Sequence, residues 1–278
     1  MLAEVFHRNL TMGVLPMLQF ATSFTYFVHR RRRESLGARA YSLHAIFSHG
    51  KDALRKQTIF REEMLWHDPP SYYEEGNFLR YENVVAQSVM REGGFQVLES
   101  QLADVRAAFG LALALNRTLI LPRVHCSDRT MAFPCYAWYH RARFNFGWGL
   151  DKVPLPHSCP LYFWLNERAV EELALPTREP SFLHNPRTPS AITEDVGVVR
   201  FESAPVAVRR ARAAPALRQL AAADADEVRH PGATTLPALV DALAPIVHKR
   251  VIHVHGLSAL TLAGARLRLP AWPRRGFR

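Results

Sequence analysis

Between Gly93 and Pro122 the chain reads GGFQVLESQLADVRAAFGLALALNRTLILP, and this stretch decides the fold. Leu98, Leu102, Val105, Phe109 and Leu113 follow one another at steps of four, three, four and four. Those steps set them on one face of a helix suited to packing on a sheet. Asn116 ends the helix, and Thr118-Leu119-Ile120-Leu121 then reads as a short buried strand closed by Pro122. A helix feeding such a strand is half of a parallel α/β layer, so the expected class is α/β.

Working outward, the same unit recurs downstream. Leu236 to His248 is an amphipathic helix interrupted at Pro245, and a β-branched run from Val251 to Val254 follows it. Val196 to Phe201 is a further strand candidate, and Val206 to Ala222 is alanine- and arginine-rich helical sequence broken at Pro215. From Arg123 to Pro189 the chain is proline- and aromatic-rich with little periodicity, as in a functional loop region or an insertion. Upstream, Thr22 to Val28 and Ala40 to Phe47 read as strands joined by the polar stretch Arg30 to Gly37. Gly50 to Trp66 is helix-compatible and stops at Asp68-Pro69-Pro70, because a residue before proline avoids the α region. Ser71 to Asn83 reads as a polar link between two halves.

Composition narrows the function. The chain has 278 residues, 48% hydrophobic and 22% charged, with a formal net charge of +10, which excludes wholesale disorder and collagen-like structure. The apolar run Gly13 to Val28 contains Pro16 and Gln19 and is too short and too polar for a membrane span. It also lacks the framing of a secretory signal. Basic charge invites a nucleic-acid partner, but only Lys51, Lys56, Lys152 and Lys249 are lysines, and no zinc finger, basic zipper or RNA-recognition motif accompanies them. No nucleic-acid partner is expected. The sequence also lacks a nucleophile elbow, a P-loop and a dinucleotide fingerprint.

Several groups carry possible chemistry. His44, Gly50 and Lys51 lie where a predicted strand runs into a helix. Glycine lets backbone amides approach a ligand, lysine supplies charge to a diphosphate, and an imidazole at a strand end can complete a divalent-metal site. The ordinary alternative is a strand-end histidine, a turn glycine and a solvated lysine. Gln101, Asp104 and Arg106 decorate the polar side of the clearest helix. Asp128-Arg129 and Arg178-Glu179 are loop charges near strand ends, where α/β proteins place ligand contacts. His253 and His255 alternate on one predicted strand and so share a face, most simply as a polar strand face. Asp224-Ala225-Asp226 has the form that holds Mn²⁺ in nucleotide-sugar transferases, but it lies in alanine-rich helical sequence rather than after a hydrophobic strand. Of Cys126, Cys135 and Cys159, none form a Cys-x-x-Cys pair. They are either buried free thiols, or Cys126 pairs with Cys159 in an oxidising lumen. Two N-glycosylation acceptors, at Asn9 and Asn116, fit a secretory route.

Taken in order, these stretches resemble a known family. The first block is GVLPMLQFATSFTYFV from Gly13 to Val28, His44 with Gly50-Lys51, Arg61-Glu62, Leu65-Trp66, Asp68-Pro69-Pro70 and Tyr73. The second runs from Gln101 to Arg106 through Leu115 to Pro122, Cys126, Asp128-Arg129, Cys159-Pro160, and SFLHNPRTP from Ser181 to Pro189. Together they are similar to the C-terminal part of glycosyltransferase family 77, in particular the plant and algal extensin arabinosyltransferases.

The resemblance implies a Rossmann-like, metal-dependent nucleotide-sugar transferase of the Golgi lumen. Its donor would be UDP-arabinofuranose, its acceptor a glycoprotein or glycan, and its cofactor Mn²⁺ or another divalent cation. It implies His44 as a metal ligand and Gly50 and Lys51 as donor-diphosphate contacts. Residues 1–82 would close the nucleotide-diphospho-sugar domain, 83–93 would link, and 94–278 would form a second α/β domain with an irregular insertion over about 123–190. The family's Asp-x-Asp strand and membrane anchor would precede Met1, so the chain is expected to be inactive by itself. Tyr162 departs from the aspartate that relatives carry after Cys-Pro-Leu. Gln101 to Pro122 also resembles the opening unit of protein O-fucosyltransferases, which would imply GDP-fucose and no metal. A non-catalytic acceptor-binding module is the alternative of a different class.

Overall fold

A computed structural model of the chain describes residues 13–22, 25–26, 36–45, 53–86, 88–89, 95–126, 157–159, 165, 167–172, 176–202 and 227–263. Gly50, Lys51, Asp128, Arg129, Tyr162, the helix expected over 206–222 and the Asp224-Ala225-Asp226 motif lie outside them.

The chain is mixed α/β, as expected. In chain order its elements are β1 (Phe20–Thr22), β2 (Ser42–His44), α1 (Ala53–Glu62), α2 (Pro70–Glu74), β3 (Phe78–Tyr81), α3 (Phe95–Ala114), β4 (Thr118–Ile120), β5 (Val124–Cys126) and β6 (His157–Cys159). There follow α4 (Glu167–Glu172), β7 (Thr177–Arg178), α5 (Ser190–Thr193), β8 (Val196–Glu202), β9 (Glu227–Pro231), β10 (Ala233–Thr235), α6 (Leu236–Ala242), β11 (Val251–His255) and β12 (Thr261–Ala263). Among the described residues no helix is long and apolar enough to cross a membrane.

Six strands form one sheet in the order β7-β4-β3-β11-β8-β9, and every pairing in it is parallel. From β3 the chain steps outward through α3 to β4 and then β7. From β8 it steps the other way, to β9, and β11 fills the place between β3 and β8. One face carries Leu79, Tyr81, Leu119, Leu121, Val199, Phe201, Ile252 and Val254 against Val97, Val105, Phe109, Leu239, Leu243 and Ile246. The other face is covered toward its amino end by Tyr73, Phe78, Ile120, Phe182, Ile192 and Val251. At the end of β11, Gly256 takes φ +69, and a Cβ there would sit 2.3 Å from the Phe201 carbonyl oxygen, so the close approach of β11 to β8 requires glycine.

Several expectations are corrected. Phe78–Tyr81, inside the stretch read as a link, is a central strand bonded to both β4 and β11. The expected boundary at 82/83 therefore falls just after a strand of the sheet that the later residues complete. Pro70 opens α2 at its first turn, where a missing N–H costs nothing, so the Asp68-Pro69-Pro70 stop is also a start. The first described strand is Phe20–Thr22, while residues 23–24 and 27–28 of the strand expected over Thr22–Val28 lie outside the described residues; α6 ends at Ala242, before Pro245 is reached. Leu113, expected on the packed face of α3, is 52% exposed. The buried stripe runs instead through Val97, Gln101, Val105, Ala108, Phe109 and Ala112, because alanines let the helix approach the sheet closely.

Candidate functional site

Paired residues of parallel strands point to the same side of a sheet, so the register assigns side chains to rows. On the face that bears Phe78 and Val251, the next row reads Arg178, Ile120, Arg80, His253, Val198 and Glu227. The row beyond holds His255, Arg200 and Arg229. The apolar cover thus gives way, toward the carboxyl ends of the strands, to guanidinium, imidazole and carboxylate groups. Arg80 meets Glu82 at 2.6 Å. Glu227 accepts from Arg200 at 3.2 Å and from Arg229 at 3.0 Å. The rings of His253 and His255 lie 4.2 Å apart. His184 joins the group from the edge, in the field of Arg80, Arg123 and Glu82.

Burial, with the neighbouring guanidinium groups, holds these imidazoles below the ordinary histidine range. Burial, then His255, Arg80 and Arg200, hold His253 down to about 3. His255 is lowered by burial and by Arg200 and Arg80, with Glu82 and Glu227 opposing. Burial and the neighbouring arginines likewise lower His184. The Nε2 atom of His253 is buried without a hydrogen-bond partner. So are the Tyr81 hydroxyl, Asn83 Oδ1 and His125 Nδ1, and, at the amino edge, Arg117 Nε. Tyr81 lies on the α3-covered face, and His253 alone of these lies in the charged row; buried polar atoms are almost always paired, so its orphaned nitrogen calls for an explanation.

The amino edge is the opposite. There Arg117, buried among backbone, donates to the carbonyls of Phe78 (3.0 Å), Lys249 (2.9 Å), Val247 (2.5 Å) and Arg250 (3.4 Å). Arg250 donates to the carbonyls of Glu74 at 2.7 Å and Gly76 at 3.0 Å. Arg117 and Arg250 at this edge are committed to carbonyls, whereas Arg80 and Arg200 at the carboxyl edge meet carboxylates.

Of the residues singled out from sequence, Arg178 and Glu179 come together with α1 and α2. The Tyr72 hydroxyl donates to Glu179 at 2.6 Å, and Arg178 stacks 3.9 Å above the Tyr72 ring while its Nε donates to the Tyr72 carbonyl. Arg61 donates to both oxygens of Asp68 and lies 3.8 Å from Glu179. Burial raises the Glu179 carboxyl, against the Tyr72 hydrogen bond and Arg61, and burial likewise raises the Tyr72 phenol. Gln101 stands elsewhere, bonded through its amide to the Val97 carbonyl (2.5 Å) and to both the carbonyl (2.9 Å) and the N–H (2.7 Å) of His125. Arg106 is exposed on α3.

His44 is exposed at the end of β2, beside Thr22 of β1. Among the described residues no three His, Cys, Asp or Glu side chains converge to hold a metal ion. Cys126 and Cys159 lie on one antiparallel ribbon, but Cys126 pairs with His157 and Cys159 with Val124, so the two stand diagonally across it. Arg80, Glu82 and Arg200 were missed in sequence. Their signal was a charge late in an otherwise apolar strand, as in Phe78-Leu79-Arg80-Tyr81 and Val198-Val199-Arg200-Phe201.

Comparison with known proteins adds one relative. Over 197 residues the chain is 29% identical to Arabinosyltransferase XEG113 of Arabidopsis thaliana, covering 67% of this chain and 30% of that protein. The chain thus spans just under a third of the length of the curated relative it matches. No family model matches it, and no solved structure matches it.

Proposed function

We propose that this chain is a glycosyltransferase of arabinosyltransferase type, moving arabinose from UDP-arabinofuranose to a hydroxyl of a glycoprotein or glycan in the Golgi lumen. The observation that carries the reading is the 197-residue similarity to an arabinosyltransferase. The parallel sheet supports it, because open α/β sheets bind ligands outside the carboxyl ends of their strands where the winding reverses. That is where Arg80, His253, His255 and Arg200 lie.

In this reading the acceptor hydroxyl oxygen attacks the anomeric carbon and releases its proton to the departing diphosphate or to water, the bond from that carbon to the diphosphate oxygen breaks, and UDP departs with the electron pair. Charge grows on the diphosphate, and fixed cations near it lower the barrier. Lys51 beside Gly50 is one source of that charge by family resemblance. The test is nucleotide choice. UDP is expected to raise the melting temperature of the chain more than GDP does, and release of UDP from UDP-arabinofuranose is expected once the relative's upstream half is supplied. Preference for GDP and turnover of GDP-fucose would overturn it in favour of a fucosyltransferase.

A further inference from the structure

We infer that the carboxyl edge of β3, β11 and β8 is a phosphate-gripping site for a nucleoside diphosphate, with Arg80 and Arg200 as its charged contacts and His253 as a hydrogen-bonding one. That the nucleoside diphosphate is a sugar donor rests on the transferase reading; the grip on phosphate does not.

Four observations converge. The first is topological. Chain connections leave β3 and β8 in opposite directions, and β11 lies between them, so the crevice that such reversals open falls over these residues. The second is charge. Among the described residues Arg80 pairs with Glu82 and Arg200 with Glu227, and Arg123 shares the field of Arg80 and Glu82. A carboxylate beside a guanidinium fixes its orientation, and the fork of N–H groups left over suits a phosphate oxygen.

The third is the unpartnered nitrogen of His253 beside the Arg80 register position. A neutral imidazole here donates a hydrogen bond to an anion without adding a charge that burial opposes. The fourth is the company it keeps. His255 stands one row further along the same face, its ring 4.2 Å from that of His253, so two imidazoles line the edge between the two arginines. A solvated charged face explains the exposed arginines but not the orphaned nitrogen of His253.

The experiment is calorimetric titration of the full chain with inorganic diphosphate, UDP and uridine. Inorganic diphosphate and UDP are expected to bind, and uridine to bind at least about tenfold more weakly than UDP. Arg80→Gln and Arg200→Gln should each weaken diphosphate binding by about tenfold, the loss of one charge-assisted contact. His253→Gln, which keeps an N–H, should weaken it less than His253→Leu. Lys56→Ala, on the exposed side of α1, should leave binding unchanged. Circular dichroism of each variant reports its fold, and Arg200 is exposed enough for its variant to fold. Absence of diphosphate binding by the folded chain, or binding indifferent to both arginine variants, overturns the inference. Diphosphate binding by the chain, with no pentose transfer by a folded hybrid that carries the relative's upstream half, would keep this site and remove the transferase reading; transfer by the hybrid with both arginine variants unaffected would do the reverse.

Discussion

Arg80 of β3 and His253 of β11 occupy the same register position, side by side on one face of the sheet, although 172 residues lie between them in the chain. The guanidinium is one reason that the imidazole stays neutral. An unfolded His253 takes up its proton near 6.5, and the folded one near 3. Between those values the unfolded state binds more protons, so stability falls as pH falls through that window and is undiminished above it. From pH 7 to 5 this share amounts to at most about 2 kcal/mol. Urea titrations at the two pH values should show a smaller acid loss in His253→Gln than in the parent. Equal losses would contradict the placement.

Arg117 should be a stability residue and not a ligand contact. Its guanidinium donates to four backbone carbonyls, joining β3 to the turn before β11. Arg117→Ala strands several of them away from water, at a cost of at least about 3 kcal/mol. Arg117→Lys should recover only part, since one ammonium cannot reproduce the fork. Chemical denaturation measures both, and a loss below about 1 kcal/mol for the alanine variant would refute the assignment.

The Tyr72–Glu179 bond ties α2 to the end of β7. Tyr72→Phe removes the donor from a buried carboxyl and should cost about 1–3 kcal/mol. Glu179→Gln keeps an acceptor for the phenol and should cost less than Glu179→Leu, which leaves the hydroxyl unpartnered. Thermal unfolding of the three variants gives the order. Equal melting temperatures for the glutamine and leucine variants would show that the bond contributes nothing.

Gly256 couples fold to site. Gly256→Ala must hold a left-handed backbone and push its Cβ against the Phe201 carbonyl oxygen, at a cost of about 1–3 kcal/mol. Because the strain parts β11 from β8, it should also weaken diphosphate binding although Gly256 carries no side chain. Unchanged binding in a destabilised variant would separate the two effects and count against a shared edge.

The α3–β4 unit was legible because its apolar period and its strand are local. Even there the packed stripe was misplaced, since Ala108 and Ala112 make the close contact while the larger Leu113 faces out, and a count of large hydrophobics overlooks alanines. β3 escaped notice because Phe78-Leu79-Arg80-Tyr81 is four residues with a charge inside, and its strand character comes from β4 and β11 on either side. The shared face of His253 and His255 was visible from their alternation. Their meaning was not, because it depends on Arg80 and Arg200, which only strand pairing brings near. The expected diphosphate pair, Gly50 and Lys51, lies outside the described residues.

Transfer of a pentose tests the account most directly. This chain would replace the matching stretch of the Arabidopsis arabinosyltransferase, and the hybrid would be given UDP-arabinofuranose and an arabinosylated hydroxyproline peptide. Mass spectrometry should find the peptide heavier by one pentose, with the gain sharply reduced by Arg80→Gln. A folded hybrid that adds no pentose, beside an intact relative that does, would contradict the account.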